Sequence, residues 1–570
     1  MNRIKNEFTL IDYYTPKVEP HFHHYNTPFV VFPRRLDVNL CTCINNHNRA
    51  PLSLELLEFR EVISQPLSAI RKLAGQTAVY GVSTIFGRLL NFALVPFFSY
   101  IFDSPEVLGL NTEFYAYIAF LNIVFTFGME TALFNFLSRD NDKAMVYSTS
   151  LRTMLFSTLL LTIPFILLMQ PIANLMRYPN HPEFIIWAIF IVASDALMAI
   201  PFAKLREENR AKKFAAIKML NILVNLLVSF FFIGWCKYSY DNEPNSFLAS
   251  LYNPEIGIGY AFIANLAANL VCLSLLSKEY LKIKFGFDPE LLKRMLRYAL
   301  PLLVVGLAGM VNETLDRILL KYLLPAGIAE EQIGIYGTCY KIAILMTIFW
   351  QAFRYAAEPF FFSRQKEDNS KEMYATVMTY FVLFCLVIFL GTTMNLSWIQ
   401  YMIGENYRSG IAVVPILLFA NMCLGVYFNL SIWYKLTGRT QFGMWLTLIG
   451  AAVTLSLNFL WIPSTGYFGG YMGSAWATLI CYTFMMLLSY FIGQKYYPVP
   501  YRTGKLVGYT TFALVLFFAG MYTNTGSYSA DLVFRNLLLG IFVTIILFVE
   551  KPLRFISKTK SQPNKNTQKS

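Results

Sequence analysis

Glu313, Asp316, Arg317 and Lys321 stand at positions i, i+3, i+4 and i+8 of one apolar stretch, the interval that gathers side chains on one face of a helix. Asn312 adds an amide beside them, and Gln351, Arg354 and Glu358 repeat the pattern in the next apolar stretch. Arg88, Glu130 and Asp195 each interrupt an earlier one. An ionisable side chain near the centre of a bilayer costs on the order of 3 kcal/mol on insertion scales, so it faces protein or a wet cavity. These residues are therefore expected to line a water-accessible cleft, to which Arg88, Arg317 and Arg354 give cationic character. A guanidinium fork grips phosphate oxygens in pairs, so the cleft suits a phosphate-bearing headgroup, and Tyr and Trp could stack on sugar rings.

Blander readings stand beside these. Glu313 with Arg317, and Arg354 with Glu358, have the i, i+4 spacing of ion pairs that only make insertion tolerable. Arg88 has no acidic residue three or four positions away, so its partner comes from another helix or from a substrate. Asp195 could hold a proton or sodium ion, or be a hydrogen-bonded structural carboxylate. Lys341 lies off the Gln351 face and could snorkel toward the outer surface, so it ranks below the arginines.

Such faces need apolar helices to carry them. The chain of 570 residues is 56% hydrophobic and 14% charged, against roughly a quarter charged in ordinary soluble domains. Its 51 Phe and 35 Tyr suit lipid contact and the polar boundary respectively. Apolar stretches of about 20 residues, enough to cross hydrocarbon as a helix, recur with short polar gaps. Fourteen spans are predicted, near 77–101, 113–136, 150–174, 184–204, 215–236, 256–277, 298–324, 333–361, 374–398, 411–434, 442–463, 470–493, 505–523 and 531–550. Nearly all loop Lys and Arg fall in alternate gaps, while the opposite gaps hold only Arg177, Lys237 and Arg408. The formal net charge of +13 is thus topological rather than a nucleic-acid footprint, and places both termini in the cytoplasm.

A shift of 225 aligns residues 73–139 with 298–364 without a gap, matching Gly109 with Gly334, Glu106 with Glu331, Tyr115 with Tyr340 and Phe136 with Phe361 among others. Each repeat holds six spans, so both copies have one orientation and two lobes are expected about an axis along the membrane normal. The expected organisation is an all-α polytopic membrane protein. Its parts are a non-membrane extension over 1–70 that is cytoplasmic or a misassigned start, an N-lobe over 71–278, a C-lobe over 279–494, two further spans in 495–550 and a basic cytoplasmic tail over 551–570.

Several chemistries find no support. There is no G-x-x-x-x-G-K-[ST] loop for direct ATP coupling, and no H-E-x-x-H or G-x-S-x-G motif, so no enzyme and no cofactor is expected. Cys41, Cys43 and His47 form too short a cluster for a zinc site, and the remaining cysteines are single, so no metal is assigned.

At this level the chain resembles the polysaccharide transport family of the multidrug/oligosaccharidyl-lipid/polysaccharide exporter superfamily, which includes O-antigen flippases. The resemblance rests on FGMETALFNFLSRD (127–140), SDALMAIPFAKLREENRAKKF (194–214), LRYALPLLVVGLAGMVNETLDRILL (296–320), IGIYGTCYKIAILM (333–346), FRYAAEPFFFSR (353–364) and NLSIWYKLTGRT (429–440), and covers about 68–550. It implies two six-helix lobes around a central cavity, with two helices appended, open alternately to each side. It implies an undecaprenyl-diphosphate-linked oligosaccharide as substrate, for lipopolysaccharide or other surface polysaccharide in a bacterial inner membrane. A polymerase and a chain-length regulator are its candidate partners. Arg88 matches the cationic position of the first span in that family, and Arg317 and Arg354 fall in segments that resemble its motifs. Two rivals remain: a cation-coupled multidrug exporter, whose cleft should be more apolar and acidic, and a membrane polymerase or ligase, which needs a larger outside loop than any gap provides.

Overall fold

The structure, a computed structural model, describes residues 87–550 except 88, 91, 138–139, 141, 282–285, 366, 368 and 524–525. The extension over 1–70, Cys41, Cys43 and His47, Arg88, about half of the first span and the tail over 551–570 lie outside the described residues. The described part of the first span is α1 (Leu94–Ile101). Thirteen long apolar helices follow: α2 (Pro105–Leu137), α3 (Lys143–Leu167), α4 (Glu183–Glu207), α5 (Ala211–Asn242), α6 (Gly259–Tyr280), α7 (Pro289–Leu323), α8 (Ile328–Ser363), α9 (Ser370–Thr393), α10 (Val413–Leu436), α11 (Gln441–Trp461), α12 (Gly470–Tyr496), α13 (Thr503–Tyr522) and α14 (Tyr528–Glu550). The chain is a multi-pass membrane protein.

Helix starts extend past the apolar stretches because a polar cap or a first-turn proline sets them. The Asp288 carboxylate accepts from the backbone N–H groups of Glu290 and Leu291 at 2.9 and 3.0 Å, and Pro289 occupies the first turn. α7 therefore starts at Pro289 rather than near 298. α2 starts at Pro105 rather than at 113 with proline again in the first turn, although the Ser104 side chain makes no capping bond to its backbone. α2 is also broken: Phe127 (φ 33°) and Gly128 (φ 74°) both take left-handed conformations and divide it into Pro105–Thr126 and Met129–Leu137. A Cβ at Gly128 would meet the Ala299 carbonyl, so glycine both permits the turn and lets α7 approach.

α4 packs on α2, α3 and α6, and α6 on α5; six helices later, α10 packs on α8, α9 and α12, and α12 on α11. This is the two-lobe arrangement expected from the repeat. α13 and α14 lie against α9, outside the C-lobe. Lipid tails are as apolar as leucine, so close packing rather than water exclusion holds such helices together. Small residues do this at the lobe junction. A Cβ at Gly109 on α2 would collide with the Glu330 carbonyl oxygen, and one at Gly334 on α8 with the Pro105 carbonyl oxygen. The pairs are reciprocal, since 330 and 334 are 105 and 109 shifted by 225, and Gly337 faces Thr112, its own counterpart. The pseudo-twofold axis thus runs between α2 and α8. Large exposed apolar side chains such as Phe156, Leu160 and Leu167 on α3 and Leu537, Ile541 and Phe548 on α14 give the outer surface its lipid-facing character.

Candidate functional site

By helix direction, the loops before α3, α5, α7, α9, α11 and α13 share one end of the bundle, here the basic end, and the loops before α2, α4, α6, α8, α10, α12 and α14 share the far end. At the far end, charged side chains from both lobes meet in a dry cluster. Lys321, near the end of α7, is 0% exposed; its ammonium lies 3.6 Å from the Glu113 carboxylate of α2, itself fully buried, and contacts the Glu330 carboxylate of α8. The Tyr178 hydroxyl donates to Glu113 Oε2 at 2.6 Å, and its ring lies 3.9 Å from Lys321 Nζ. Arg177 donates to the Lys321 carbonyl at 3.1 Å. Close by, the Tyr407 hydroxyl of the α9–α10 connection donates to the carbonyls of Phe102 and Ser104 at 2.7 and 3.1 Å. Both lobes are therefore tied together at the far end by ion pairs and hydrogen bonds through Glu113 Oε2, although Glu113 Oε1 is buried without a hydrogen-bond partner.

Two adjoining cavities lie within this closure. The first, about 590 Å³, is walled by α7, α8, α10, α11 and α12 and reaches Thr440 and Gln441 at the basic end. Asn312, Glu313, Tyr340, Trp350, Gln351 and Asn421 are among its lining residues, and it contains no Lys or Arg. The second, about 480 Å³, lies between the lobes and is walled by α1, α2, α5, α6, α7 and α8; Arg317 and Lys341 line it. Glu313, Tyr340 and Ile344 belong to both, so the two spaces meet at these side chains.

Within that junction the expected residues sort into different roles. Arg317 pairs with its neighbour Asp316 at 3.0 Å and donates to the Glu313 backbone carbonyl, not to its carboxylate. The Tyr336 hydroxyl donates to Asp316 Oδ2 at 2.7 Å, and the guanidinium lies 4.3 Å from the Tyr340 ring centroid. The arginine is therefore held rigidly against the cavity wall. The Glu313 carboxylate has no hydrogen-bond or ion-pair partner among the described residues and faces both cavities. Lys341 departs from expectation. It does not snorkel outward but lines the inter-lobe cavity on the Arg317 side, with no carboxylate partner among the described residues. The Arg317 and Tyr340 side chains occupy the neighbouring wall, so α8 presents position 341 to the junction.

The remaining candidates lie elsewhere. Arg354 and Glu358 form their expected i, i+4 pair at 3.1 Å, and Lys435 of α10 joins Glu358 at 2.5 Å; the group borders a small separate pocket toward the basic end. Glu130 is paired with Arg206 at the basic end of α4 and lines neither cavity. Asp195 sits inside the N-lobe, where Asn122 donates to one carboxylate oxygen at 3.3 Å and Asn269 to the other at 3.0 Å; Asn221 donates to Asn269 in turn. Lys218 is its electrostatic neighbour. The spacing argument did not single out Glu113, Tyr178, Glu330, Trp350 or Asn421. For Glu113 the signal was the Ser104–Pro105 helix start, which draws it into α2 rather than leaving it at a span edge.

Residues 73–365 match the profile of the family described as "Polysaccharide biosynthesis protein". No curated protein matches the chain in sequence. Among solved structures the chain is similar to the lipid II flippase MurJ in an inward closed conformation, with 15% identity and a TM-score of 0.63 over 82% of this chain and 99% of that one. It is also similar to an inward-facing MATE family multidrug resistance transporter of the MOP superfamily, with 15% identity and a TM-score of 0.57 over 72% and 94%. A mutant of the Vibrio cholerae MATE transporter VcmN gives 13% identity and a TM-score of 0.51 over 75% and 97%.

Proposed function

The chain belongs to the polysaccharide biosynthesis protein family, and from that premise we propose that it moves a lipid-linked oligosaccharide, on an undecaprenyl diphosphate carrier, from the cytoplasmic to the outer leaflet by alternating access. The observation that carries this reading is the pair of adjoining cavities, one in the C-lobe lined by amides and aromatic rings and the other between the lobes lined by Arg317 and Lys341. A diphosphate needs fixed cations, a glycan needs hydrogen-bonding groups and aromatic faces, and the lipid tail can stay in the bilayer beside the lobes. In this reading Arg88, Asn312, Glu313, Asp316, Arg317, Gln351 and Lys341 serve the substrate path, directly or by positioning. Arg354, Glu358 and Glu130 act at its basic-end approaches, and Asp195 is a candidate coupling site.

The same reading makes the basic end cytoplasmic, in a bacterial inner membrane, because short loops rich in Lys and Arg stay on that side. A polymerase and a chain-length regulator are its expected partners.

The test is deletion of the gene followed by leaflet-resolved measurement of lipid-linked oligosaccharide and of surface polysaccharide. Accumulation on the cytoplasmic leaflet with loss of surface glycan is the expected result. Completed units reaching the outer leaflet in the deletion strain would overturn the reading.

A further inference from the structure

We infer that the C-lobe cavity is the glycan subsite and that the inter-lobe cavity takes the diphosphate, so that the substrate lies across the junction at Glu313 and Tyr340. This rests on the flippase reading and adds an orientation and a set of sugar-contacting residues to it.

The polar groups of the C-lobe cavity carry the argument. Its lining contains no cation. Asn421 is 2% exposed, yet its side-chain amide has no hydrogen-bond partner among the described residues, and neither do the amides of Gln351 and Gln441. The Trp350 indole N–H is buried without an acceptor. Buried polar groups are ordinarily paired, and each one left unmade costs about 1–3 kcal/mol. A wall that holds three unpaired amides and a carboxylate offers donors and acceptors together, which matches hydroxyl groups rather than a phosphate.

Aromatic surface completes the match. Trp350 and Phe428 are stacked with centroids 4.6 Å apart, and Tyr340, Tyr427, Tyr434 and Tyr482 border the same space. Rings of this kind offer apolar faces to the C–H faces of sugars while their hydroxyl or N–H groups bond at the edge. The volume of about 590 Å³ lies within the range of small-molecule sites. Across the junction, Arg317 and Lys341 supply the fixed charge that the sugar side lacks.

The experiment measures binding to the full chain in nanodiscs with two probes: undecaprenyl diphosphate, and the lipid-linked oligosaccharide extracted from the deletion strain. Wild type should bind the glycan-bearing lipid more tightly. Asn421→Ala and Gln441→Ala should each reduce that advantage, by about three- to tenfold for one lost hydrogen bond, while leaving undecaprenyl diphosphate binding unchanged; Lys341→Gln should weaken both probes. Gln441 is exposed, so its variant tests the subsite without threatening the fold. Equal binding of both probes by wild type, or an equal loss for both in Asn421→Ala and Gln441→Ala, overturns the glycan subsite and leaves the flippase reading standing. Binding of neither probe by wild type overturns both.

Discussion

The far-end cluster and the cavity junction are both charged regions inside a membrane protein, and they are built on opposite rules. At the far end buried Lys321 is flanked by two carboxylates and a tyrosine ring, and the hydroxyl of that tyrosine bonds one of the carboxylates. At the junction Lys341 and Glu313 border open volume with no partner among the described residues. Both lysines carry the cost of leaving water, but in one case neighbouring residues offset it and in the other only water or a ligand can. Charge within a span is thus not one signal: satisfied charge holds helices together, and unsatisfied charge on a cavity waits for something.

Substitution separates the two. Lys321→Ala leaves Glu113 and Glu330 uncompensated in a dry site and should cost about 3–5 kcal/mol, read as a large fall in unfolding temperature in nanodiscs and in membrane abundance. Lys341→Gln should leave unfolding unchanged while lowering surface polysaccharide about tenfold, the loss expected of one charge-assisted contact to substrate. If Lys341→Gln instead destabilised the protein as Lys321→Ala does, the contrast between the regions would collapse. Arg354→Ala should change stability least, by under about 1 kcal/mol, because the Arg354–Glu358 pair is solvent-exposed and Glu358 retains Lys435; thermal unfolding beside the other two variants checks the order.

How much of this was readable beforehand follows from where each property resides. The thirteen long helices were legible because an apolar stretch of about 20 residues has few other fates. Their ends were not, since Asp288 and Ser104–Pro105 set helix starts through capping and turn geometry that hydropathy does not register. Face periodicity brought out Glu313, Arg317 and Gln351, which line the cavities. It also grouped Lys321 with them, although α7 carries that residue past the cavities into the far-end cluster. Partner choice is tertiary: nothing in the spacing says that Arg317 takes Asp316 rather than Glu313, or that Lys341 turns inward. Neutral residues such as Asn421 and Trp350 escaped because a search for charge passes over them.

The reciprocal glycine contact between α2 and α8 binds the history of the two halves together. Position 109 meets 330 and position 334 meets 105, so a methyl group added to either copy is felt by the backbone of the other. Two duplicated segments that touch in this way are not free to diverge independently. Each acts as the steric filter on its twin, and a larger residue gained in one half must wait for a compensating shift in the other.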